Sequence, residues 1–185
     1  MVVFLALFDT MIGCCGIAWG LRGIAGVQLP EASDLETRGR MLHRFPDARE
    51  AAPPPEVALV VDEIAELLHG TPKDLSHAVL DMEPLPPFHR RIYEAARRIP
   101  FGATTTYGAL AKDAGAARAA RAAGQALARN PFPIIVPCHR VVAAEGKIGG
   151  FSAHGGTNMK FRLLAIERQA RGAEESGVFA PFGAP

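Results

Sequence analysis

Three short apolar runs open the chain: "VVFLALF" (2–8), "CCGIAWG" (14–20) and "IAGVQL" (24–29), separated by "DTMIG" and "GLRG". Runs of this length, bounded by turn-forming residues, predict strands of an antiparallel meander. The next stretch is polar and ends in the Pro-rich "DAREAAPPPE", which predicts an irregular connection. From 56 to 69 the period changes. Val57, Val60, Val61, Ile64, Leu67 and Leu68 recur at helical spacing, and Gly70 marks the stop. "HAVLDM" predicts one more strand, so the first half reads as an α/β domain of antiparallel sheet plus helix. The stiff segment "EPLPP" (83–87) predicts the domain boundary.

The second half is mostly helical in pattern. In "FHRRIYEAARRI", Phe88, Ile92, Ala95 and Ile99 share a face, and "PFG" ends the helix. A short helix "YGALAKDA" stops at Gly115 and leads into "AARAARAAGQALAR". Two short helices joined by a tight Gly-containing turn predict a helix-turn-helix. "PIIV" and "HRVV" read as strand, "AAEG" as a hairpin turn, and "KIGGFSAHGG" as strand followed by a Gly-rich loop. Thr157 or Asn158 is placed to cap a last helix to about Arg171, and residues 172–185 read as a flexible tail.

Composition adds bounds. At 185 residues, nearly half of them apolar, the chain can bury a core. Three cysteines, two of them adjacent (Cys14 and Cys15), cannot build a disulfide framework, which points to a reducing, cytoplasmic setting. "MVVFLALF" lacks a basic flank and is interrupted by Asp9, so it reads as a strand rather than a secretion signal. No later run reaches the roughly 18 residues of a membrane span. Charge changes the picture more. Residues 1–87 hold six basic and 13 acidic residues; residues 88–171 hold 14 basic and four acidic. A basic half suggests a polyanionic partner, with a solvated dipolar surface as the plain alternative.

Two features carry candidate chemistry. Arg118, Arg121, Gln125 and Arg129 are spaced three, four and four apart, so they fall on one face of a helix otherwise made of small residues. Such a helix is thin enough for a groove about 6 Å wide. An Ala-rich solvated helix is the bland reading. Cys138 sits beside His139 in "NPFPIIVPCHRVV". A nearby base would raise thiol reactivity, yet neighbours in extended chain point apart, so a turn or a bridging water would be needed. Glu167 shares the buried face of the last helix with Leu163 and Leu164 and needs a partner. A Cys–His–Glu relay is one reading; a buried thiol with a separate Glu167 ion pair to Lys160, Arg168 or Arg171 is the other. No spacing of His and Cys suggests a metal.

These residues in this order resemble the O6-alkylguanine-DNA alkyltransferases. The likeness is carried by "IPFGATTTYGALA", "AARAAGQALARNP", "PCHRVV" and "GGFSAHGG", and covers 88–167 strongly and the first 80 residues loosely. It implies a ribonuclease-H-like domain (1–85) and a mostly α, winged helix-turn-helix domain (86–171). It implies stoichiometric transfer of an alkyl group from O6-alkylguanine, and possibly O4-alkylthymine, in double-stranded DNA to Cys138, by a monomer without a cofactor or metal. His139 would deprotonate Cys138 through a water, with Glu167 holding the imidazole. Asn130 would be a hinge, Tyr107 would serve the departing guanine, and Arg121 would fill the gap left by a flipped base. Pro133, Val141, Phe151 and Ser152 would line the pocket. Phe151 stands where many relatives have Tyr, and the "SAHGG" loop is longer than in some. A lesion-binding module without transfer, a Cys–His hydrolase and a transcriptional regulator are the competing classes. Cys138 argues against the first and last, and the arginine stripe against the hydrolase.

Overall fold

The computed structural model describes residues 2–144 and 147–172. The chain divides into two compact units, Met1–Pro84 with Pro131–Ile135, and Leu85–Asn130 with the residues from Val136 onward. The five-residue segment Pro131–Ile135, read from sequence as part of the second domain, therefore sits with the first.

In the first unit the three apolar runs form β1 (Phe4–Thr10), β2 (Gly13–Gly20) and β3 (Gly23–Gln28), paired antiparallel as expected. A short β4 (Arg49–Glu50) joins parallel to β1, giving the order β3-β2-β1-β4. The stretch read as irregular holds a helix, α1 (Asp34–Arg44). Ser33 caps it by accepting from the Glu36 amide, an interaction worth about 1 kcal/mol. Met41 from α1 packs with Leu5 and Ala18 from the sheet. The second helix, α2 (Pro55–Leu68), buries Val57, Val60, Ile64, Leu67 and Leu68 as the period predicts. "HAVLDM" does not form a strand. It makes one parallel bridge, Leu80 to Ile24, because Asp81 turns to accept two bonds from the Arg22 guanidinium at 3.0 Å.

Segment Pro131–Ile135 is a turn, not the strand read from "PIIV". Ile134 has φ 73°, a left-handed conformation that a β-branched residue rarely takes. The turn is held at its start. The Val27 amide donates to the Pro131 carbonyl (2.9 Å), and so does Nη2 of Arg44 (3.2 Å).

The second unit is helical. It comprises α3 (Pro87–Arg97), α4 (Tyr107–Asp113), α5 (Ala120–Ala128) and α6 (Gly156–Gly172), with a two-residue parallel pair β5 (Thr105–Thr106) and β6 (Val141–Val142). Tyr93 of α3 is fully buried and donates its hydroxyl to the Ala126 carbonyl at 2.8 Å, which ties α3 to α5. Ala123, Ala126 and Leu127 form the inner face of α5. This helix is shorter than the sequence suggested: Arg118 lies in the preceding turn and Arg129 is the C-cap. "HRVV" is strand only at Val141–Val142, because Cys138–Arg140 form a single 3-10 turn. "KIGG" is irregular, and α6 starts at Gly156, so Thr157 and Asn158 lie inside its first turn rather than capping it. Part of the predicted "AAEG" turn (145–146) and the tail from 173 lie outside the described residues.

Candidate active site

Cys138 opens the 3-10 turn that follows Pro137. The turn answers the sequence problem of two neighbours pointing apart, because it lets Cys138 and His139 both face inward. Both are buried, as is Arg140. Behind them runs α6, which contributes Lys160 and Glu167, both essentially inaccessible to solvent.

Nε2 of His139 lies 2.8 Å from Oε1 of Glu167. The carboxylate can only accept, so Nε2 carries the proton and Nδ1 keeps its lone pair. Nδ1 is buried and has no hydrogen-bond partner among the described residues. Glu167 is gripped from three further directions. Arg140 donates from Nε to both carboxylate oxygens (3.1 Å each) and from Nη2 to Oε1 (2.9 Å). The Gly102 amide donates to Oε2 at 2.8 Å. Gly102 has φ 73°, a left-handed conformation that favours glycine. Nη1 of Arg140 is taken by the Ile99 carbonyl (2.7 Å).

These contacts decide the charges. Burial pushes the Glu167 carboxyl up, but His139 and the Arg140 guanidinium outweigh it and hold the group down at about 2. Burial pushes His139 below its ordinary value, with Arg140 and Lys160 acting the same way and Glu167 against them. The ring is therefore neutral at pH 7, a base ready to accept. Burial likewise pushes the Cys138 thiol up, while the Asn130 side chain and the Lys160 charge pull it down. Lys160 itself is lowered to about 8, chiefly by burial. Its Nζ donates to the carbonyls of Val141 (2.6 Å) and Gly150 (3.3 Å) and lies 5.7 Å from the Tyr107 ring centroid.

In front of Cys138 is a cavity of about 380 Å³, lined by Tyr107, Gly124, Leu127, Ala128, Cys138, Gly150, Phe151 and Ser152. That is within the range of small-ligand pockets. The arrangement joins a thiol, an oriented neutral imidazole and an open cavity, which suits attack by sulfur on a bound electrophile. Among the described residues no group of three or more His, Cys, Asp or Glu is placed to hold a metal ion.

Residues 87–169 match the family described as 6-O-methylguanine DNA methyltransferase, DNA binding domain. A protein of Methanothermobacter thermautotrophicus named methylated-DNA–protein-cysteine methyltransferase is 34% identical over 152 residues, 82% of this chain and 78% of that protein. The chain belongs to the methylated-DNA–protein-cysteine methyltransferase family. A Mycolicibacterium paratuberculosis protein of the same name is 49% identical over 82 residues, 44% of this chain and 48% of that one. Among solved structures, Mycobacterium tuberculosis OGT in complex with DNA superposes with a TM-score of 0.71 at 30% identity, covering 90% of this chain and 94% of that one. That likeness spans both the sheet unit and the helical unit.

In this member of the family the sequence-predicted residues fall into three groups. Cys138, His139, Glu167, Asn130, Tyr107, Phe151 and Ser152 converge in the second unit, with Nδ2 of Asn130 donating to the Val136 carbonyl at 2.9 Å. Arg121, Gln125, Arg118 and Arg129 are all exposed, the first two on α5 and the others just beyond its ends. Pro133 and Val141 are not among the cavity's lining residues. Pro133 sits in the first unit, and the Val141 carbonyl already accepts from Lys160. Arg140 was not singled out in the sequence, and Lys160 was named there only as a possible ion-pair partner of Glu167. Glu167 pairs with Arg140, a partner the sequence did not suggest. The available signal was position: an arginine directly after His139, in a turn too tight to send every side chain outward.

Proposed function

We propose that this protein repairs DNA by direct reversal, moving the alkyl group of an O6-alkylguanine in duplex DNA onto Sγ of Cys138, once and irreversibly. The observation that carries the reading is the position of Cys138, which lines the cavity and precedes a histidine whose ring is locked by a buried carboxylate. His139 Nδ1, the ring nitrogen that keeps its lone pair, takes the thiol proton, relayed by one water, as a general base does. The thiolate attacks the alkyl carbon; the C–S bond forms as the C–O bond breaks. Guanine leaves with a proton supplied from Tyr107, whose hydroxyl is restored by the proton that His139 took from the thiol; on balance the thiol hydrogen is replaced by the alkyl group, guanine carries that hydrogen away, and no cofactor enters. Burial first, then the neighbouring Cys138, raises the Tyr107 hydroxyl above its ordinary value, which keeps it a donor. A thioether has no easy route back, so each chain acts once.

An alkylated base in a duplex must leave the stack to reach this cavity, at a cost of a few kcal/mol. The basic face around α5 supplies phosphate attraction, and Arg121 is the side chain we assign to the vacated space. The DNA complex of the Mycobacterium tuberculosis relative supports a DNA partner. We also read residues 1–85 as a ribonuclease-H-like domain, residues 86–171 as a mostly α, winged helix-turn-helix domain with α4 and α5 as its paired helices, and the working form as a cytoplasmic monomer. No helix among the described residues is long and apolar enough to cross a membrane.

The test is incubation with duplex DNA bearing label on the methyl group of O6-methylguanine. The expected result is label on Cys138, at most one per chain, and none on Cys138→Ala. Repeated turnover, or label on another residue, overturns the reading.

A further inference from the structure

Arg140 is buried beside the relay and is not among the residues that line the cavity. All three of its nitrogens are committed: Nε and Nη2 to the Glu167 carboxylate, Nη1 to the Ile99 carbonyl. A buried group of charges favours the state with least net charge. Arg140, Glu167 and neutral His139 together sum to zero, and a proton added to His139 makes the group cationic. Without Arg140 the remaining pair is an anion, and the same proton makes it neutral.

We propose that Arg140 is a positioning residue for the transfer reaction: by pairing with one side of Glu167 and cancelling its charge, it keeps His139 unprotonated and able to accept the cysteine proton. The inference deepens the relay reading above and rests on it. Glu167 alone would orient the imidazole equally well, but it would also invite a proton onto it. Arg140 lets the carboxylate do the first without the second. Among the described residues, charged and titratable groups face His139 from two elements. They are Glu167 and Lys160 from α6, and Cys138 and Arg140 from its own turn. Lys160, positive below about pH 8, works in the same direction as Arg140.

The test uses the reaction of Cys138 with iodoacetamide across pH 5–9, alongside NMR titration of the His139 ring. Neither measurement needs DNA. Failure of the labelled-lesion experiment therefore bears on the substrate, and failure here bears on the relay. Arg140→Met should move the acid limb, and the ring titration, upward by at least about one pH unit, which is about tenfold in rate at a given pH on the limb. Arg140→Lys, which keeps the charge with fewer bonds, should hold the limb near its original place. A purely structural role would lower the rate at every pH and leave the limb where it was; that result overturns the proposal. If Arg140→Met does not fold, the double variant Arg140→Met/Glu167→Gln decides. Its limb should return toward wild type, well above that of Glu167→Gln alone. Coincidence of the double variant with Glu167→Gln means Arg140 carries no electrostatic role and overturns the proposal.

Discussion

Glu167 stands in the second half of α6, where the helix dipole opposes a negative charge, and it is almost wholly buried. Only its partners make it tolerable. Its pH signature follows from the sign of its shift. The folded carboxyl titrates at about 2, against about 4.3 for an unfolded glutamate. Its contribution is therefore complete above about pH 4.3 and is lost as pH falls through about 2. Removing one member of a buried pair costs about 3–5 kcal/mol, because the other charge is left unmatched. Glu167→Gln keeps one accepting oxygen, turns the other into a donor and strands the Arg140 charge, so we expect a folded variant with a lower urea midpoint at pH 7 and slower transfer. Its stability should also change less than that of wild type between pH 4.5 and 2. A midpoint equal to that of wild type would contradict the pairing. Cys138, His139 and Glu167 were legible in the sequence because a cysteine beside a base, and a carboxylate on an apolar helix face, are local anomalies. Arg140 was not, and Lys160 was legible only as a possible partner of Glu167. A basic residue in a basic half of the chain looks ordinary until packing buries it.

At the scale of elements the arginine stripe shows what periodicity can and cannot settle. It placed Arg121 and Gln125 on the outer face of α5, where they are. It extended the helix too far at the start, because an Ala-rich run does not show where the preceding turn ends; the Ala119 amide is held by the Ala116 carbonyl before the helix begins. Arg121 is the one long basic side chain within the helix proper, so its loss should be felt only when a duplex must be opened. We expect Arg121→Ala to react with free O6-benzylguanine at the wild-type rate and with duplex DNA at least tenfold more slowly. Equal loss on both substrates would count against its role in the vacated base position. α1 was missed for the opposite reason. Only Thr37 and Met41 of its 11 residues are buried, which leaves no apolar stripe to read, and its one clear local sign was Ser33 followed by Glu36. "PIIV" failed because β-branched residues predict strand, while tertiary contacts hold Ile134 left-handed.

At the scale of the whole molecule the chain leaves the second unit at Asn130, is held in the first over Pro131–Ile135, and returns at Val136, two residues before Cys138. The excursion has two fixings. In the second unit, Nδ2 of Asn130 bonds the Val136 carbonyl and closes its neck. In the first, Arg44 reaches from the end of α1 to the carbonyls of Pro131 (3.2 Å) and Val27 (3.3 Å), and the Val27 amide bonds Pro131 as well. Holding Ile134 in a left-handed conformation costs about 1–3 kcal/mol, so the anchor must oppose relaxation of the turn. Loosening the excursion is expected to be felt at Cys138, three residues further along the chain. Arg44→Met keeps most of the side-chain volume and removes the donors. The expected cost is about 1–3 kcal/mol for carbonyls left unsatisfied, with faster hydrogen exchange at the Val27 amide. Alkyl transfer should slow, while affinity for undamaged duplex stays unchanged, because α5 is untouched. Transfer at the full rate in a variant with an exposed Val27 amide would place the whole burden on the Asn130 neck. Slower transfer with unchanged DNA affinity would instead show that the sheet unit positions the cysteine.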